Sequence, residues 1–189
     1  MKSFKQYLSE AQEHTSARTS LRQVSAGIKH AVKTGLIKPH SVNIDNGGGS
    51  YDENKHHVES HVEGSKFEVH DPYNRSEEHN DKVKGDHTGK ADYVGMHNVL
   101  NVIKEPEYRI GALHQVKSFM KPKTGVAHLT VYEGEGNGNA RVTQNDNGRG
   151  SSWQNHRKTD TYLPEVRKVF PPETHNVTRS GKHIIITQK

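Results

Sequence analysis

The chain has 189 residues, enough for one domain with a real core and too few for two ordinary ones. Hydrophobic residues make up 29% and charged residues 26%, with a formal charge of +5, so part of the chain is expected to be loop or tail around a compact core. The absence of cysteine removes disulfides, thiolate zinc sites and cysteine nucleophiles, and with the last the usual route to cytosine C5 methylation.

No apolar run approaches the length of a membrane span, and the N-terminus lacks the apolar core of a secretory signal. A soluble, intracellular protein with no membrane partner is expected. From residue 141 onward nine Arg and Lys face four Asp and Glu, which allows a polyanionic partner such as nucleic acid; a solvated basic surface is an equally good reading.

In chain order, residues 1–16 (MKSFKQYLSEAQEHTS) read as an amphipathic N-terminal helix or tail, and residues 17–189 as the domain. Thr19 or Ser20 is placed to cap a second helix carrying Leu21, Val24, Ile28, Ala31 and Val32, stopped by Gly35 and Pro39. Strand and helix patterns then alternate. Strands are expected at Ser41–Asp45, Lys66–His70, Asp92–His97 and Gly125–Tyr132. Helices are expected at 52–63, Arg75–Lys84, Glu105–Met120 and Tyr162–Phe170. Glu133–Ser152, rich in Gly and Asn, reads as a long mobile loop, and His175–Thr178 with His183–Thr187 as a closing hairpin. The alternation implies an α/β fold with a mostly parallel sheet, helices on both faces and an antiparallel edge.

The segment SVNIDNGGGSYD ends a strand on Asp45 and continues into Gly47, Gly48 and Gly49. Glycine lets backbone turn sharply and approach a ligand closely, although a plain tight turn uses the same residues. The next strand ends at Asp71, 22 residues beyond Gly49. An acid at that separation is placed to accept the hydroxyls of a ribose; the alternative is a turn-initiating Asp before Pro72.

The order of these segments resembles the class I S-adenosylmethionine-dependent methyltransferases. NIDNGGG stands as the first motif, EVHDPYNR as the second, ADYVGMHNVLNVIKEP as the fourth-strand motif and AHLTVYEG as the fifth strand. DPYNRSEEHN, NVLNVI and YLPEVRKVF are similar to a subgroup of short methyltransferase-like proteins of tailed phages and bacteria, over roughly residues 19–189. The resemblance implies a Rossmann-like fold and S-adenosylmethionine as cofactor. It places Gly47, Gly48 and Gly49 against the cofactor's methionine and ribose, Asp45 at its amino group or ordering the loop, Asp71 on the ribose and Asn98 near the sulfonium. An obligatory general base is not required, so no catalytic residue is assigned.

Three features depart from the family pattern. Only 21 residues separate Asp71 from Asp92, so the usual third strand is expected to be reduced or missing, and with it the normal adenine contact. Asn46 occupies a position more often apolar. Asn98-Val99-Leu100 replaces the Asn/Asp-Pro-Pro-aromatic motif of amino-methylating DNA enzymes, which disfavours N6-adenine and N4-cytosine methylation.

Further candidates lie outside the motifs. Tyr132 and Glu133 stand at the tip of the fifth strand, where they could face the methyl group, and Trp153 with Gln154, Asn155 and Arg157 follows where a segment can clamp an acceptor; a strand-end polar pair and a helix entry with a core tryptophan are the alternatives. His57 and His61 have the i, i+4 spacing of a two-ligand site without an obvious third ligand beyond Glu53 or Glu63, and no metal is expected. Leu8-Ser9-Glu10 in MKSFKQYLSEAQ resembles the cleavage pattern of capsid-targeting peptides of internal phage head proteins. The expected function is methyl transfer to an unidentified acceptor by a phage-encoded enzyme. The alternative is a non-catalytic protein on the same scaffold, head-associated or nucleic-acid-binding.

Overall fold

The computed structural model describes residues 22–144 and 151–189. The N-terminal segment 1–16, with its Leu8-Ser9-Glu10 pattern, lies outside the described residues, as do Thr19, Ser20 and Leu21.

Among the described residues, eight strands and five α-helices follow one another. α1 is Ala26–Lys33, β1 Val42–Asn46, α2 Glu53–His61, β2 Lys66–His70, α3 Glu77–His87 and β3 Tyr93–His97. α4 is Pro106–Phe119, β4 Val126–Thr130, β5 Ala140–Gln144, β6 Ser151–Asn155, α5 Leu163–Val169, β7 His175–Ser180 and β8 His183–Gln188. The main sheet runs β2-β1-β3-β4-β8-β7. Its first four strands are parallel, and β8 and β7 join antiparallel to β4 and to each other. The chain goes from β2 through α3 directly to β3, so the third strand of the family pattern is missing.

Period-two alternation divides the core. Ile44, Val94, Met96, Ala127, Leu129, Ile184 and Ile186 face α3, α4 and α5, where Val83, Leu113, Val116, Phe119 and Val166 pack. On the other face Ile28 and Ala31 of α1 and Val58 of α2 pack on Phe67, Val69 and Tyr93. Arg109 on α4, 4% exposed, donates from Nε and Nη2 to the two Glu165 carboxylate oxygens at 2.7 Å each, which ties α4 to α5.

Two sequence expectations are corrected. α1 starts later than expected: Ser25 is its N-cap, with Oγ accepting the Ile28 N–H, so Val24 precedes the helix. The stretch expected as one long loop contains the β5–β6 hairpin, with Val142 opposite Trp153. Val, Thr and Trp favour strands, and Gly134, Gly136 and Gly138 only punctuate the approach to them.

Candidate cofactor site

The Gly47–Gly49 loop leaves the C-terminal end of β1, next to the point where the order β2-β1-β3 reverses. In open α/β sheets that crevice is where ligands bind. Gly47 (φ +86°) and Gly49 (φ +81°) are in a conformation L side chains rarely adopt. A Cβ on Gly47 would lie 2.5 Å from a Val99 methyl, and one on Gly48 would lie 2.6 Å from Asp45 Oδ2. A side chain at Gly47 or Gly48 therefore forces Val99 or Asp45 to move, and one at Gly47 or Gly49 also strains the backbone.

Long-range polar contacts hold this loop. Asp71 Oδ2 accepts the Gly49 N–H at 2.8 Å, while Arg75 Nε donates to the Gly49 carbonyl at 2.9 Å. The Gly47 N–H donates to the His70 carbonyl. Beneath the loop, Asn54 Nδ2 donates to Asp45 Oδ2 at 2.7 Å, and Asn54 Oδ1 accepts the Ser25 N–H at the start of α1. One amide thus links the α1 cap, α2 and β1. Burial pushes the Asp45 carboxyl up to about 7, with the Asn54 hydrogen bond opposing.

A cavity of about 820 Å³ opens above these elements, within the range of ligand sites. All six residues expected to hold a cofactor line it: Asp45, Gly47, Gly48, Gly49, Asp71 and Asn98. Asn98, at the tip of β3, sits in the left-handed region at φ +59° with its N–H on the Thr130 carbonyl, a strain asparagine tolerates better than most residues. The Asp71 carboxylate is heavily engaged by the protein. Besides Gly49 on Oδ2, its Oδ1 accepts from Tyr73 N, Asn74 N and Asn74 Nδ2. It thereby performs the turn-forming role before Pro72 as well as lining the cavity.

Glu133, Trp153 and Arg157 are not among the lining residues. Glu133 Oε1 accepts the Thr159 N–H, which holds its carboxyl below the usual range. Trp153 is half-buried in β6, and Arg157 lies over the Tyr162 ring at 3.9 Å. From the same region, Tyr132 and Gln154 line the cavity instead.

Sequence reasoning missed the wall contributed by His70, Asn101, Tyr108 and Gln115. His70 explains the odd polar Asn46: Asn46 Oδ1 accepts from His70 Nδ1 at 2.8 Å, both residues being buried. That bond puts the ring proton on Nδ1 and leaves Nε2 as a buried acceptor without a protein partner. Burial lowers the His70 pKa to about 3, so the ring stays neutral. Asn101 Oδ1 is a second buried acceptor without a partner. The missing third strand leaves α3 and α4 to close the far wall, through residues such as Asn80, Lys84 and Gln115. At His57 and His61, the His61 Nδ1 hydrogen-bonds the His57 carbonyl at 2.8 Å, with the rings 4.2 Å apart.

No protein-family model matches the sequence, and no curated protein does. Solved structures do match in fold. A chain of the Haloferax volcanii complex containing the Trm112 methyltransferase activator aligns with a TM-score of 0.53 at 13% identity, covering 93% of this chain and 73% of that one. Mitomycin 7-O-methyltransferase MmcR aligns with a TM-score of 0.51 at 14% identity, covering 87% of this chain and 55% of that one. At such identities the likeness defines the fold alone. That fold is the Rossmann-like fold of the class I S-adenosylmethionine-dependent methyltransferases, without its third strand. No helix among the described residues is long and apolar enough to cross a membrane.

Proposed function

We propose that this chain is an S-adenosylmethionine-dependent methyltransferase. The observation that carries the reading is the all-glycine turn Gly47–Gly49 over the buried Asp45 carboxyl, at the switch point of the sheet and open to a ligand-sized cavity. The fit is specific to a ligand with donors and a positive charge. His70 Nε2 and Asn101 Oδ1 are unpartnered acceptors within cavity-lining residues, and Asp45, near 7, gains its charge readily beside an ammonium group.

The cofactor supplies a methyl group made electrophilic by its sulfonium. The protein's part is to bind and to orient. Gly47, Gly48 and Gly49 bring backbone against the methionine and ribose portion. Asp45 sets the loop and the amino group, and Asp71 stands at the ribose end of the cavity. Asn98 orders the backbone at the β3 tip beside the reacting centre. Tyr132 and Gln154, which line the same cavity from beyond β4, are the side chains offered to the acceptor.

A small N- or O-nucleophile is the acceptor class best supported, because Asn98-Val99-Leu100 lacks the base-reading motif of amino-methylating DNA enzymes. A phage origin, in host cytoplasm or virion head, rests on the N-terminal Leu8-Ser9-Glu10 and the body's resemblance to short phage proteins.

One observation favours a second reading, a non-catalytic protein on this scaffold. Four protein donors already engage the Asp71 carboxylate that would hold the ribose. Calorimetric titration with S-adenosylmethionine and with its demethylated product separates the two. Micromolar binding of both, lost in Gly47→Val, supports the enzyme; no heat from either, with salt-sensitive DNA binding, supports the scaffold.

A further inference from the structure

On the α1 face of the sheet, the side chains of Tyr93 and His97 from β3, His128 and Thr130 from β4, and His183 from β8 lie together under His30 of α1. They form one connected row. His97 Nδ1 meets Thr130 Oγ1 at 3.1 Å and His97 Nε2 meets the Tyr93 hydroxyl at 3.1 Å. Tyr93 then meets His128 Nδ1 at 3.0 Å, and His128 Nε2 faces His183 Nδ1 at 2.9 Å. The His30 ring stacks on His183 with centroids 3.9 Å apart. One nitrogen from each of His30, His128 and His183 falls within 4.8 Å of the other two.

We propose that His30, His128 and His183 bind one divalent transition-metal ion of the zinc class, which pins α1 to β4 and β8. Three neutral imidazoles without carboxylates select a borderline ion such as zinc, cobalt or nickel, whereas magnesium and calcium require oxygen ligands. The buried Tyr93 hydroxyl lies 3.0 Å from His128 Nδ1; with the ring proton on Nδ1 it fixes the ring as an outer hydrogen bond does for a ligating histidine, and the Nε2 lone pair faces His183. Within the group, His128 Nε2 and His183 Nδ1 are hydrogen-bonded at 2.9 Å.

Ligation requires neutral imidazoles, and each of the three rings brings one nitrogen into the group. His30 and His183 are only half-buried, so an ion has an entry path and the rings have room to turn toward it. The fourth position of a tetrahedral site is left to water or a protein-derived ligand.

The test uses the tag-free, metal-stripped full chain titrated with cobalt(II) and then zinc. One equivalent of cobalt is expected to give the intense visible d–d bands of a tetrahedral site, which zinc then displaces, together with a rise in melting temperature. His30→Gln and His183→Ala, both at half-exposed positions, are expected to abolish the bands; circular dichroism of the metal-free variants verifies that they fold. A His57→Ala/His61→Ala variant is expected to retain them. Absence of the bands in the wild type, or their persistence in folded His30→Gln and His183→Ala, overturns the proposal, as does their loss in the His57→Ala/His61→Ala variant alone.

Discussion

Asp71 at the end of β2 accepts the Gly49 N–H across 22 residues of sequence, at 2.8 Å and out of solvent. The acid that marks the second motif and the glycine that closes the first are thus one structural unit. Replacing Asp71 with Asn keeps the size but turns an acceptor into a donor toward one of these N–H groups. Leaving a buried donor unmatched costs about 1–3 kcal/mol. Asp71→Asn is expected to lower the urea midpoint accordingly and to weaken cofactor binding more than tenfold. Equilibrium unfolding and calorimetry check both effects.

Gly47 makes a sharper probe, because its substitution acts on the loop with little effect on the core. Gly47→Ala adds a left-handed backbone penalty of roughly 1–2 kcal/mol to the contact with Val99. Truncating the neighbour in Gly47→Ala/Val99→Ala removes the contact but leaves the backbone penalty. The double variant is therefore expected to recover part, not all, of the lost cofactor affinity.

The Arg109–Glu165 pair has no place in the site and should show it. Glu165→Gln leaves the Arg109 guanidinium buried opposite a neutral amide. Breaking a buried pair from one side costs about 3–5 kcal/mol. Chemical denaturation is expected to show that loss, while cofactor affinity in the folded protein stays unchanged.

Stability should fall steeply in mild acid. His70 and His128 have pKa values lowered from 6.5 to about 3, and His97 is lowered well below 6.5; all three are held neutral by burial. As pH falls through 6.5 the unfolded chain takes up protons the folded chain refuses, so stability present above 6.5 is lost toward 3. Asp45 acts in the opposite sense. Its pKa rises from 3.8 to about 7, so its contribution is greatest below 3.8 and declines as pH rises through 7. Three histidines outweigh one aspartate between pH 4 and 6.5, at roughly 1.4 kcal/mol per pH unit for each net proton. Melting temperature is expected to drop across that window. In Asp45→Asn, stability relative to wild type should increase between pH 5 and pH 8.

Much of this fold was legible in the chain. The strand at Lys66–His70 matches the structure to the residue, and the other strands of the main sheet fall within two residues at each end, because alternating apolar positions between turn signals leave little choice. A third strand reduced or missing followed from the short Asp71–Asp92 spacing set against the family resemblance. The β5–β6 hairpin was hidden because its glycines dominated a composition reading, whereas Val142 and Trp153 carried the strand signal. The histidine row was illegible for a different reason. His30, His128 and His183 come from three elements far apart in sequence, and the antiparallel docking of β8 on β4 together with the packing of α1 on that face unites them. Likewise Asn46 looked anomalous until His70 supplied its partner.

On the proposed reading, the Gly47–Gly49 cavity holds S-adenosylmethionine. The most direct measurement is isothermal titration of the purified chain with the cofactor, repeated at pH 6 in buffers of different ionisation enthalpy. Micromolar one-site binding that Gly47→Val abolishes is expected, with proton release as Asp45, near 7 in the free protein, ionises beside the ligand's ammonium group. Binding that survives Gly47→Val, or no heat at all from a folded protein, would contradict that reading.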